Sequence, residues 1–235
     1  MPAAEPAEQG LPSFLRKEGR YIILLLSLLL LFFFYPFFGG ILLGPKILGL
    51  VFLFILLASI QSLRNRPKPF LAALGLALVG YGSFLAGGFV EIPALQVMTH
   101  LCFTLFFGFM TVTVVGNVWR VRSVTLDTIL GSVCAYLLLG MTWTMACILI
   151  QIFVPGSYAV GGQPLVFGGG GRGIYPDFIY YSFVTLTTLG YGDMLPLSPA
   201  ARSLAVLEAV VGQMFIAVLV ARLVGLQIAS SSKSR

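Results

Sequence analysis

The run Thr187–Met194, TTLGYGDM, differs in kind from the sequence around it. Two glycines, a tyrosine and an aspartate follow directly on a string of threonines. Gly190 and Gly192 alternate with Leu189 and Tyr191. Glycine reaches backbone angles closed to other residues, and alternating such angles turns successive carbonyls toward one side. Copies of this strand around an axis would stack rings of carbonyl oxygens, which can replace the water around a bare cation. Thr188 adds a hydroxyl at the inner end of the stack. Upstream, Phe178–Thr187 reads as about three turns of apolar and aromatic helix, opened by Pro176 and Asp177. Its partially negative C-terminal end would point toward the inner side and favour a cation there.

A bilayer must hold this run in place. The chain has 235 residues, 58% hydrophobic and 9% charged, against about 25% charged in soluble domains. Its mean hydropathy is +1.00. Six apolar segments approach the ~20 residues that a crossing helix needs: Tyr21–Phe38, Ile47–Leu63, Phe70–Phe89, Val97–Val118, Leu126–Phe153 and Ala200–Leu226. The short helix before TTLGYGDM cannot cross, so it is expected to dip in and return. Non-helical backbone at that depth survives only when protein buries it or when it lines a water-filled path. The Gly-rich stretch Gly156–Gly173 before it reads as a flexible external loop.

The basic residues set the orientation. Arg16, Lys17, Arg20, Arg64, Arg66, Lys68, Arg120, Arg122, Arg222, Lys233 and Arg235 all fall to one side of the alternating segments. Only Lys46, Arg172 and Arg202 fall to the other. Positive loops favour the cytoplasm, so both termini are expected inside. The +6 charge is spread over four loops, which speaks against a nucleic-acid surface. The first segment is too long for a cleaved signal peptide and no A-x-A-like site follows it. Cys102, Cys134 and Cys147 lie within apolar segments and read as small buried hydrophobes. His100 has no partner in sequence and receives no role. No Ser/His/Asp set, phosphate loop or carboxylate pair is present, so no enzyme is expected.

Thr187–Asp193 resembles the selectivity-filter signature of potassium channels, T-x-G-Y-G-D, with Leu189 where valine is commonest. The resemblance implies K+ held as the permeant ion by Thr188, Leu189, Gly190, Tyr191 and Gly192. YYSFVTLTT resembles the family's pore helix, with Tyr180 and Tyr181 where many members have two tryptophans. Their hydroxyls are expected to reach Asp193 or a neighbouring filter strand as an aromatic cuff, with Thr187 as further support. Val184 stands where some bacterial channels place a glutamate behind the filter. The last segment resembles the inner helix. Gly212 falls where many members carry a hinge glycine, and packing is the equal alternative. Gln213, Ile216 and Val220 would then face a central cavity.

The resemblance implies an all-α membrane protein. Six transmembrane helices, with a re-entrant pore helix and filter loop between the fifth and sixth, would assemble as a homotetramer in contact with membrane lipids. The expected divisions are a cytoplasmic segment at 1–20, a four-helix peripheral domain at 21–119, a pore domain at 120–226 and a tail at 227–235. The fourth segment carries no Arg or Lys. Moving a charge through the field is worth about 2.3 kcal/mol per 100 mV, so strong voltage dependence is not expected. No cytosolic ligand-binding domain is expected after Leu226. Residues 16–20 are expected to rest on anionic head groups. Glu208 is the one carboxylate placed deep within a segment. It is expected either to brace the filter by bonding Thr185 or Thr187, or to act as a proton-sensitive gate. The compact chain and basic loops fit a bacterial inner membrane. A weakly selective cation channel is one alternative, and a non-conducting subunit that modifies a partner is another.

Overall fold

The computed structural model describes residues 21–38, 44–63, 67–88, 92–121, 124–165 and 174–232. The N-terminal segment 1–20 lies outside these residues. So do Arg64, Arg66, Phe89, Arg122, Arg172, Lys233 and Arg235, and the second half of the Gly-rich loop.

Among the described residues, seven helices and a small sheet follow one another. They are α1 (Ile22–Phe38), α2 (Gly44–Gln61), α3 (Pro67–Gly87), α4 (Pro93–Arg120), α5 (Leu126–Phe153), β1 (Tyr158–Val160), β2 (Gln163–Pro164), α6 (Ile174–Leu186), β3 (Met194–Pro196) and α7 (Pro199–Ser232). Among the described residues, α3, α4, α5 and α7 are long and apolar enough to cross a membrane. The helices α1 and α2 are shorter, at 17 and 18 residues.

Local sequence accounts for the boundaries. Pro93 opens α4, where a missing N–H costs nothing. Thr125 caps α5 by accepting from the Thr128 N–H at 3.2 Å, and Ser198 caps α7 by accepting from the Ala201 N–H at 3.2 Å. Small residues decide how closely helices pack. Ala73, Ala77 and Gly80 form the buried stripe of α3. A Cβ on Gly80 would sit 2.9 Å from the Phe103 ring of α4, so the two helices approach along that stripe. Phe103, Phe106, Phe107, Met110, Val114 and Val118 make the buried face of α4. Opposite it, α5 buries Cys134, Ala135, Leu138, Met141, Met145 and Ile148. The three cysteines are free and buried.

The first two helices pack directly on α6. Phe32 of α1 meets Phe183 of α6 edge-on at 4.7 Å. Phe52 of α2 lies 5.7 Å from Phe103 and 5.7 Å from Tyr175 at the start of α6.

The Gly-rich stretch corrects its sequence reading as a flexible loop, because its first half folds. β1 pairs antiparallel with β2 and with β3, in the order β2-β1-β3. Gly161 and Gly162 join β1 to β2 with φ of 58° and 80°, the two positive values that a type I′ hairpin needs. Tyr158 provides the anchor. It is fully buried, edge-on to Phe178 at 4.9 Å and to Tyr181 at 5.2 Å. Burial pushes its phenol far above the ordinary range, so it remains a neutral packing group.

Candidate ion-conduction site

The 13 residues of α6 span about 20 Å at 1.5 Å each, short of the ~30 Å hydrocarbon core. The helix begins at Ile174, two residues earlier than Pro176 and Asp177 suggest, with Pro176 still in its first turn, where proline is tolerated. It is wedged between α5 and α7. The Phe183 ring covers Gly140 of α5 so closely that a Cβ there would overlap it. On the other side, Gly212 of α7 lies against the Leu186 carbonyl, again with no room for a Cβ. Tyr136 of α5 donates to that same carbonyl at 3.3 Å.

From the end of α6 the chain turns through 187–193 with alternating backbone signs. Thr188, Gly190 and Gly192 have φ of 58°, 58° and 78°, while Leu189 and Tyr191 do not enter the positive region. The N–H groups have partners on the α6 side. Thr188 N–H donates to the Thr185 carbonyl at 2.9 Å, Leu189 N–H to the Val184 carbonyl at 2.9 Å and Gly190 N–H to the same carbonyl at 3.3 Å. Val184 therefore supports the strand through its backbone rather than its side chain. All of Thr187–Asp193 is exposed in the protomer.

The far end of the run is tied down by Asp193. Tyr180 Oη donates to Asp193 Oδ2 at 2.8 Å, and the Met194 N–H donates to Asp193 Oδ1 at 3.1 Å. The rings of Tyr180 and Tyr191 stack 6.4 Å apart at 4°. Gly161 N–H reaches the Asp193 carbonyl at 3.1 Å, so the sheet holds the same corner. Tyr181 is placed differently from the expected cuff. It turns inward, buried against Tyr158, because neighbouring helix positions point about 100° apart. Thr187 turns its hydroxyl back onto the Phe183 carbonyl at 2.6 Å.

Glu208 is fully buried, so its side chain does not face a cavity. Its partner is Ser182, whose Oγ donates to Glu208 Oε1, and not Thr185 or Thr187. Ser182 Oγ also lies 2.9 Å from the Gly140 carbonyl. Carboxyl, hydroxyl and carbonyl thus join α7, α6 and α5 behind the filter run. Gln213, Ile216 and Val220 are exposed on α7, and Gln213 Nε2 donates to Thr188 Oγ1 at 2.9 Å. Gly212 lies within an unbroken α7, packed against Leu186.

Two further contacts have no local signal in the sequence. His100 Nδ1 is 2.7 Å from the Gln96 carbonyl. A carbonyl can only accept, so in the neutral ring Nδ1 carries the proton and Nε2 accepts from Tyr175 Oη at 3.0 Å. This pair fastens α4 to the start of α6. Arg222 of α7 donates to three carbonyls at the end of α4: Val118 at 2.9 Å, Trp119 at 2.6 Å and Val121 at 3.0 Å. The Trp119 carbonyl is of the kind that a helix C-terminus leaves without an intrahelical partner, and Val118 also accepts from the capping Val121 N–H.

A protein-family model described as "Ion channel" matches residues 145–226, from the end of α5 through the sheet, α6 and the filter run into α7. No curated protein and no solved structure matches the chain. The family match and the long apolar helices support an integral membrane protein with an ion-channel domain.

Proposed function

We propose that the chain forms a potassium-selective channel, passing K+ passively through rings of backbone carbonyls contributed by Thr188–Gly192. The observation that carries this reading is the alternation of φ at Thr188, Gly190 and Gly192. With it goes the consumption of the Thr188, Leu189 and Gly190 N–H groups by α6. These three N–H groups are held on the α6 side, and the reading assigns the carbonyls of the run to the other. One chain supplies one strand and leaves it exposed. Bare backbone at membrane depth needs protein or a water-filled path beside it, and closed rotational symmetry meets that need. A homotetramer is the assembly that the filter resemblance implies.

Six crossings with both termini cytoplasmic follow if α1 and α2 also span. In α4 the buried face carries no Lys or Arg, and the basic residue of its last turn is Arg120, so the helix has little charge to move in a field. The peripheral helices pack the pore against lipid. Glu208 braces the filter through Ser182. Replacing Glu208 by Gln keeps a group able to bond Ser182, so conduction is retained. Replacing it by Leu removes that group, and the assembled form becomes less stable.

Rubidium tracer uptake into liposomes tests the whole reading. Uptake that external K+ suppresses and Na+ does not is the expected result. Equal suppression by both ions favours a weakly selective cation pore. No uptake above empty liposomes, with a purified assembled protein, favours a non-conducting subunit.

A further inference from the structure

Gln213 is the one polar side chain of α7 that reaches the filter run among the described contacts. Its position depends on its neighbour. Because Gly212 has no side chain, α7 presses against the Leu186 carbonyl, and the next residue is carried to the turn where α6 ends. There Gln213 Nε2 donates to Thr188 Oγ1 at 2.9 Å, across 25 residues of sequence. Both residues are exposed in the protomer, so the bond lies on the open side of the strand rather than in the core. Thr188 is unusual in its own right. Among the described residues it is the non-glycine with positive φ, at 58°, a region that β-branched residues avoid.

We propose that Gln213 is a positioning residue for the inner end of the filter: its amide N–H fixes the Thr188 hydroxyl and so sets how tightly that end holds the permeant cation. The inference rests on reading Thr188–Gly192 as a K+ filter. A threonine oxygen has two lone pairs and one proton. Left free, the hydroxyl rotates and can direct its proton toward an approaching cation. With one lone pair held by Gln213, the second has a fixed direction, and the proton occupies the remaining position. The donor is neutral, so it orders the oxygen without placing a competing positive charge beside the ion. The bond also supports an unfavourable backbone angle at the residue where the helix gives way to the carbonyl strand.

The test compares wild type with Gln213→Met, which keeps the length, adds no charge and loses the N–H donor, and with Gln213→Leu. Each is made with Thr188 intact and with Thr188→Val. Reversal potentials under K+ and Na+ give the permeability ratio. Calorimetric titration of K+ into the assembled, detergent-solubilised protein gives an affinity that needs no open gate. Loss of one hydrogen bond corresponds to a fall of about three- to tenfold in the ratio or the K+ affinity. In the Thr188→Val background, Gln213→Leu should change either quantity by less than about twofold, since coupled residues are non-additive. Wild-type values in both Gln213 variants overturn the proposal, and so does an equal effect of Gln213→Leu in both backgrounds. Failure of both variants to assemble would mean a structural role and would also overturn it. A wild-type protein that conducts but reverses near zero instead refutes the K+ reading on which the proposal rests.

Discussion

Helices α4 and α7 are both long and apolar, yet the protomer treats them differently. In their most apolar stretches α4 buries 44% of its residues and α7 only 11%. The buried face of α4 is closed by α3 and α5, so its packing is complete within one chain. The exposed face of α7 carries Val206, Leu207, Val210, Met214, Val218 and Val224, together with Gln213 beside the filter. Lipid can cover valine and leucine. It cannot satisfy an amide or a bare backbone strand. The contrast separates a helix whose faces its own chain covers from one whose apolar and polar groups the protomer leaves open, as the proposed assembly requires.

Substitutions can break that contrast or sharpen it. The largest effect should come from the closed face. Phe106 of α4 is fully buried, so Phe106→Ala should lower stability by about 3–5 kcal/mol, read from denaturant unfolding in detergent. Met214 of α7 is 58% exposed, and Met214→Ala should leave that unfolding nearly unchanged while reducing crosslinking between copies. Next in size is the contact that holds α7 against α6. Gly212→Val forces a branched side chain onto the Leu186 carbonyl and should cost about 1–3 kcal/mol, with current lost at the same time. If Gly212 were only a hinge, stability would hold and only gating would change. Third is the link between the two helices. Arg222→Ala removes the guanidinium donor shared by the Val118, Trp119 and Val121 carbonyls and should cost about 1–2 kcal/mol. Arg222→Lys should rescue it only in part, since an ammonium cannot reproduce the guanidinium fork. Smallest is Val112→Ala on the outer face of α4. That position is 72% exposed, and the change should stay within about 0.5 kcal/mol.

The legible parts of this molecule were those written in adjacent residues. The apolar segments, the short helix before the filter run and the alternation around Gly190 and Gly192 depend on local spacing, and sequence exposes spacing directly. Tyr180 with Asp193 was within reach because thirteen residues separate them across one turn. Partners chosen by packing were not legible. Ser182 rather than Thr185 meets Glu208 because of the rotation of α6 against α7, which Gly140 and Gly212 fix from opposite sides. His100 and Tyr175 are 75 residues apart, and Arg222 meets carbonyls about a hundred residues away. Arg222 could be read as a marker of orientation, but not as a helix cap. The small sheet lay partly in view, since Gly161-Gly162 between Val160 and Gln163 is a hairpin signal. The excess of glycine around it made the whole stretch resemble a flexible loop.

Conduction through Thr188–Gly192 is tested most directly by the reversal potential of the purified protein in a planar bilayer, with K+ on one side and Na+ on the other. A reversal displaced toward the potassium equilibrium potential is the predicted result. Clear current reversing near zero would contradict it, because a filter present in this geometry would then fail to select.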